Sequence, residues 1–100
     1  MKIIKLEYQV KPDFVATNKQ NILKVMDALK AKNITHFRYS SYYLGEGKFM
    51  HCNVTYGDDF PELNELKEFK YFLAALKASD PVIFPKPIDM EAVGSNMELI

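Results

Sequence analysis

Hydrophobic residues recur with a period of two in several segments of this chain and with helical spacing in others. Residues 3–10 predict a half-buried strand, whose apolar side comprises Ile4, Leu6, Tyr8 and Val10. Residues 34–44 and 49–56 flank the turn sequence Gly45-Glu46-Gly47-Lys48 and predict a β-hairpin. A proline-punctuated stretch (Pro81, Pro85, Pro87) then leads to a short strand predicted over residues 88–93.

Helical spacing predicts two helices between these strands. The first spans residues 14–32, with Asp13 as its N-cap, Asn33 as its stop, and a stripe of Val15, Ile22, Val25, Met26 and Leu29. The second has Asp58 and Asp59 as a loop acid and a helix cap, Pro61 in its first turn, and its end at Ser79-Asp80-Pro81. Its stripe is Leu63, Leu66, Phe69, Leu73 and Leu76. The order β-α-β-β-α-β predicts a ferredoxin-like α+β fold, with both helices on one face of an antiparallel sheet, as a single domain of residues 1–100.

Composition excludes several function classes. Lys plus Arg and Asp plus Glu number 13 each and are interspersed, so no basic stripe indicates nucleic acid or an anionic membrane as a partner. No apolar run approaches the ~20 residues of a membrane helix, and the first residues are too charged for a signal-peptide core. Cys52 is the single cysteine, so no intrachain disulfide is possible and we expect a cytoplasmic protein.

The hairpin turn decides which side chains share a face of the sheet. A two-residue loop at Glu46-Gly47 pairs Gly45 with Lys48 and, with regular pairing beyond it, places Tyr42 opposite His51. A four-residue loop gives the same register, and a two-residue loop at Gly45-Glu46 changes the partners but not the faces. One face then carries mostly apolar residues and is predicted to meet the helices: Phe37, Tyr39, Tyr43, Met50, Cys52, Val54 and Tyr56. Only an odd number of residues at the bend would exchange the faces.

The other face collects residue types that bind small molecules. Its members include Lys5, Glu7, His36, Arg38, Ser40, Tyr42, Phe49, His51, Asn53 and Thr55. This face is either open to water or the wall of a cavity that a second copy of the chain closes. Tyr42 and Phe49 favour the second arrangement, because two aromatic side chains on this face would otherwise be exposed to water. Arg38, Tyr42, His51 and Asn53 are therefore candidate ligand-binding residues.

His51 is the candidate catalytic residue, because a desolvated imidazole in mid-strand could act as a base. The alternative is a structural histidine that is hydrogen-bonded by the Tyr42 hydroxyl or by a partner chain. His36 lies roughly 20 Å from His51 at strand spacing, so we expect no metal site.

Three further polar residues are assigned in the same way. Asn18 falls on the apolar stripe of the first helix and either bonds a nearby carbonyl or lines a pocket between helix and sheet. Asn21 lies further round the same helix, away from the apolar stripe, and is predicted to be exposed. Arg38 could hold a ligand carboxylate or pair with an acid such as Glu7 across the sheet.

The order of elements resembles the dimeric α+β barrel superfamily, which includes antibiotic-biosynthesis monooxygenases. The chain also looks like a group of small, uncharacterised bacterial barrel proteins, through VKPDFVATNKQNILKVM (10–26), FRYSSYYLGEGKFMHCNV (37–54), LKEFKYFLAAL (66–76) and VGS (93–95). The resemblance implies a homodimer, with ligands between sheet and helices or inside the barrel, and it does not imply a particular chemistry.

Two hypotheses for the function follow. The chain is a dimeric module that binds a small, partly aromatic ligand, or it is a cofactor-independent monooxygenase in which His51, Tyr42 and Asn53 work on an electron-rich ring. Neither hypothesis requires a cofactor. A haem-degrading barrel is disfavoured, because the related enzymes rely on a tryptophan and this chain has none.

Overall fold

The computed structural model describes residues 1–56 and 61–97. Strand β1 spans Lys2–Gln9, and a 3₁₀ turn at Pro12–Phe14 leads into helix α1, Val15–Ala31. The hairpin consists of β2, Phe37–Gly45, and β3, Lys48–Thr55. Helices α2, Pro61–Glu65, and α3, Lys67–Ala78, precede the last strand β4, Ile83–Met90.

The strands form one antiparallel sheet in the order β2-β3-β1-β4. A single core joins side chains of the sheet to α1, α2 and α3, so the helices share one face and the other face is open. The predicted ferredoxin-like α+β fold is therefore confirmed. Phe72 of α3 is 1 % exposed, and burial of such a side chain contributes about 1.5–3 kcal/mol.

The second helix is interrupted at Leu66, which has an extended backbone (ψ 122°) between α2 and α3. Within α3, Phe72 is 1 % exposed and Leu73 is 41 % exposed, so the prediction that Leu73 belongs to the buried stripe was wrong. Both residues satisfy helical spacing with Phe69 and Leu76, and the packing of α3 on the core buries Phe72. Asp58 and Asp59, the predicted loop acid and helix cap, lie outside the described residues.

The hairpin turn has the predicted loop but an additional residue beside it. Glu46 and Gly47 both have positive φ, as a two-residue type I′ turn requires, and Gly45 pairs with Lys48. The register then shifts, and Tyr43 lies opposite Phe49, so that Leu44 is the extra residue of a β-bulge. This odd residue exchanges the faces of β3 relative to β2.

Two predicted helix ends have different outcomes. Asn33 has φ 52°, a left-handed conformation that ends α1 as predicted. Asp13 lies in the 3₁₀ turn, and Phe14 is the residue at the N-cap of α1, so the predicted cap was wrong.

The last strand begins earlier than predicted and contains Pro85 and Pro87. It occupies the edge of the sheet beside β1, and an edge strand tolerates proline because its outer side donates to no neighbouring strand.

Candidate functional site

A hydrogen-bonded polar chain lies between the sheet and α1, centred on His51. The His51 side chain is 1 % exposed and projects from β3 toward the helices. Its Nε2 lies 2.7 Å from the Tyr8 hydroxyl, and its Nδ1 lies 2.7 Å from the Tyr39 hydroxyl. The Asn18 amide Nδ2 donates to the Tyr8 hydroxyl at 2.9 Å. We call these four residues the His51 network.

The strands place the network members side by side. His51 lies opposite Leu6 on β1, beside Tyr8, and opposite Ser41 on β2, beside Tyr39. Side chains two residues apart on a strand point to the same face, which is the face toward the helices for Tyr8, Tyr39 and His51.

Burial sets the protonation states in the network. Desolvation lowers the pKa of His51 to about 4, so the imidazole is neutral near pH 7. Desolvation also raises the pKa of the Tyr8 phenol, partly opposed by the hydrogen bond from Asn18, and raises the pKa of Tyr39. The network is therefore an uncharged chain of donors and acceptors.

Three buried amide atoms near this layer have no hydrogen-bond partner among the described residues. They are Asn18 Oδ1, Asn21 Nδ2 and Asn53 Oδ1. Most buried polar atoms in proteins are paired with protein groups or with water, so such atoms call for an explanation. Asn53 lies opposite Tyr39 in the sheet, which puts one free acceptor beside the network.

A cleft of about 370 Å³ adjoins the network at Tyr39. Its wall is formed by the second half of α1, the turn after it and the start of β2: Met26, Leu29, Lys30, Asn33, Ile34, Phe37, Arg38 and Tyr39. Apolar side chains predominate, and two cationic residues border the cleft. Tyr39 is the residue that belongs to both the cleft and the network.

The structure separates the residues predicted to form one site. His51, Asn53 and Asn18 lie between sheet and helices, whereas Arg38 and Tyr42 alternate with Tyr39 along β2 and present their side chains to the open face. The prediction that His51 and Asn53 share a face with Arg38 and Tyr42 was wrong, because the bulge at Leu44 adds an odd residue. Arg38 still borders the cleft through its position beside Tyr39.

The same correction applies to residues expected on the helix side. Met50, Cys52 and Val54 lie on the open face, so the assignment of Cys52 to the core was wrong. Asn21, predicted to be exposed, is 5 % exposed and lies within the helix layer.

Sequence reasoning did not assign Tyr8 and Tyr39 to the site, although it placed both on the helix-facing side. A tyrosine hydroxyl on the same face of the sheet as a buried histidine would have indicated the network. The prediction put His51 on the opposite face from Tyr8 and Tyr39, so this indication was missed.

The open face of the sheet is more apolar than predicted. Its residues include Ile3, Tyr42, Met50, Cys52, Val54, Ile88 and Met90. Tyr42, Ile88 and Met90 are exposed there. Glu7 on this face pairs with Lys5 at 3.3 Å, and both side chains are accessible to water.

Two kinds of feature are absent from the described residues. No group of three or more His, Cys, Asp or Glu side chains in residues 1–56 and 61–97 is placed to hold a metal ion. None of the helices within these ranges has the length and apolar character needed to cross a membrane.

Comparisons with known proteins show the fold. No family model matches the chain, and no curated protein matches it. A crystal structure of an antibiotic biosynthesis monooxygenase superposes with a TM-score of 0.72 at 13 % identity, covering 94 % of this chain and 100 % of the other. A structure described as a candidate antibiotic biosynthesis monooxygenase from Deinococcus radiodurans gives 0.69 at 16 % identity, covering 100 % and 99 %. At these identities the likeness establishes the ferredoxin-like α+β fold.

Proposed function

We propose that this protein binds a small, partly aromatic molecule in the cleft between α1 and the sheet, against the His51 network. One observation carries the proposal: a fully buried histidine, held on both ring nitrogens by phenols, connects through Tyr39 to a cleft. Small-molecule sites are typically apolar clefts of about 300–1,000 Å³ with a few placed polar groups. The cleft beside Tyr39 has this character.

The cleft lining indicates the chemistry of the ligand. Leu29, Ile34 and Phe37 offer an apolar surface that suits one or two fused rings. Lys30 and Arg38 at the border favour a ligand with a carboxylate or another electron-rich oxygen.

A thermal-shift screen of aromatic acids and quinols tests the binding proposal. A ligand at 100 times its Kd stabilises the folded protein by about 2.7 kcal/mol. Lys30→Gln should weaken the binding of an aromatic acid, whereas Lys24→Gln, on the same helix but outside this cleft, should not. The proposal fails if no compound raises Tm, or if both variants bind equally well.

We also propose that a second copy of the chain covers the open face. The exposed side chains of Tyr42, Ile88 and Met90 support this arrangement, as does the partly buried Met50 opposite Tyr42. Exposed apolar surface on a sheet face marks interaction sites.

Light scattering on a size-exclusion column tests the assembly. The expected mass is twice the 11.6 kDa of one chain. Met50→Glu, on the open face, should yield monomers, while Tyr71→Glu on α3 should leave the dimer intact. A wild-type protein that remains monomeric at micromolar concentration would exclude the dimer.

A cofactor-independent monooxygenase is the second candidate, favoured by the fold shared with the two monooxygenase structures. The lowered pKa of His51 makes its imidazole a weak general base near pH 7, which is why we rank this function second. Oxygen consumption with electron-rich quinols, lost in His51→Ala, would reverse this order.

A further inference from the structure

The hydrogen bonds of the His51 network have a direction that the Asn18 amide sets. The Asn18 amide nitrogen is a donor, so the Tyr8 oxygen accepts its hydrogen at 2.9 Å. The Tyr8 hydroxyl then has its own proton to donate, and His51 Nε2 lies 2.7 Å away. Nε2 is therefore the acceptor.

This direction fixes the tautomer of the imidazole. A neutral imidazole carries one N–H, so an accepting Nε2 places the proton on Nδ1. Nδ1–H then donates to the Tyr39 oxygen, which lies 2.7 Å away. Each member of the network thus donates to the next, from Asn18 to Tyr8, to His51 and to Tyr39.

Tyr39 is left with a hydroxyl proton that has no acceptor among the described residues. The free acceptor Asn53 Oδ1 lies across the sheet from Tyr39, and it is itself unpaired, so it does not take this proton. Tyr39 lines the cleft, where the side chains of Lys30, Asn33 and Arg38 add further N–H donors.

We infer that the network aims a hydroxyl donor of Tyr39 at the cleft, so that the cleft selects ligands that present a hydrogen-bond acceptor, such as a carbonyl or carboxylate oxygen. This inference rests on the proposed function, because it names the ligand group that the same cleft recognises. In it, Asn18 is a positioning residue that acts on the ligand only through Tyr8, His51 and Tyr39.

Nitrogen-15 NMR of the histidine ring tests the direction without any ligand. In the wild-type protein near pH 7, His51 should show the Nδ1–H tautomer, with its signals assigned by comparison with His36→Gln. Asn18→Leu should give a mixture of tautomers, whereas Asn21→Leu, which alters a buried amide outside the network, should leave the tautomer unchanged. A wild-type Nε2–H tautomer would overturn the inference.

A pair of probes of matched shape tests recognition of the acceptor. 2-Acetylnaphthalene and 2-isopropenylnaphthalene differ by a carbonyl oxygen in place of a methylene group. The ketone should bind about fivefold more tightly than the alkene, in line with one net hydrogen bond. Tyr39→Phe should reduce this preference, and Tyr43→Phe, on the same strand but outside the cleft, should keep it in full.

The outcomes separate this inference from the proposed function. If both probes bind equally to the wild-type protein, acceptor recognition is wrong and the binding cleft stands. If neither probe nor any compound of the thermal-shift screen binds, the proposed function fails and acceptor recognition fails with it.

Discussion

Acidification should destabilise this protein through His51, because the folded chain holds the imidazole neutral and the unfolded chain exposes it to water. Burial lowers the pKa of His51 from 6.5 to about 4. Between these values the unfolded chain binds a proton that the folded chain does not, so the free energy of unfolding falls as the pH falls. The contribution is complete above about pH 6.5 and exhausted below about pH 4.

The size of the effect follows from the difference between the two pKa values. At 1.36 kcal/mol for a pKa change of one, the full contribution is about 3 kcal/mol. About 2 kcal/mol of it is lost between about pH 7 and pH 4.5, with a slope near 1 kcal/mol per pH unit around pH 5. In a domain of this length, that loss lowers Tm by roughly 10 °C.

Urea unfolding at a series of pH values between about 7 and 4.5 measures this slope. Tyrosine fluorescence can follow the transition, since the chain has 6 Tyr and no Trp. His51→Gln should be less stable throughout, because it breaks the network, but its slope should be shallower by about 1 kcal/mol per pH unit. His36→Gln, which removes the other histidine and leaves the network intact, is the matched control. Equal slopes in the wild-type protein and His51→Gln would refute the reasoning.

Three further substitutions test the packing, with Tyr71→Ala as a control. Phe72→Ala should cost about 3–5 kcal/mol in urea unfolding, while Tyr71→Ala, whose side chain is 62 % exposed, should change stability by no more than about 0.5 kcal/mol. Gly47→Ala should cost about 1–3 kcal/mol, because φ is +79° and the new Cβ would lie 2.3 Å from the Val10 carbonyl oxygen; an unchanged urea midpoint would contradict this. Asn21→Leu should be neutral or stabilising by up to about 1 kcal/mol, because it removes a buried N–H that has no partner among the described residues, and a clear loss would show that this amide is paired.

The fold could be predicted because its signals are repeated along each element. Ile22 and Val25 of α1, and Tyr8 of β1, lie where the periodicity places them. The bounds of β4 were harder to predict from the sequence, because proline is rare in strands and the strand contains Pro85 and Pro87, which are tolerated at an edge. The burial of Phe72 and not Leu73 depends on how α3 packs, because both residues satisfy helical spacing with Phe69 and Leu76.

The candidate site was harder to predict because one residue decides its composition. The structure has the loop at Glu46-Gly47, one of the three predicted alternatives, but whether Leu44 is paired or bulged depends on how the two strands twist and pack. Because Leu44 is bulged, His51 lies in the layer beneath α1 and not on the open face, where it was predicted. The candidate histidine could thus be inferred from the sequence. Its partners Tyr8 and Tyr39 could be identified only from the register between the strands.

The two prolines of β4 limit how copies of this chain can aggregate. Pro85 and Pro87 each lack an N–H, and proline in an edge strand is tolerated where the missing donor faces away from the neighbouring strand. An incoming strand would find missing donors there and could not extend the sheet into a ribbon. Replacing both prolines with threonine would restore those donors, and we expect such a variant to form thioflavin-positive fibrils more readily on mild heating.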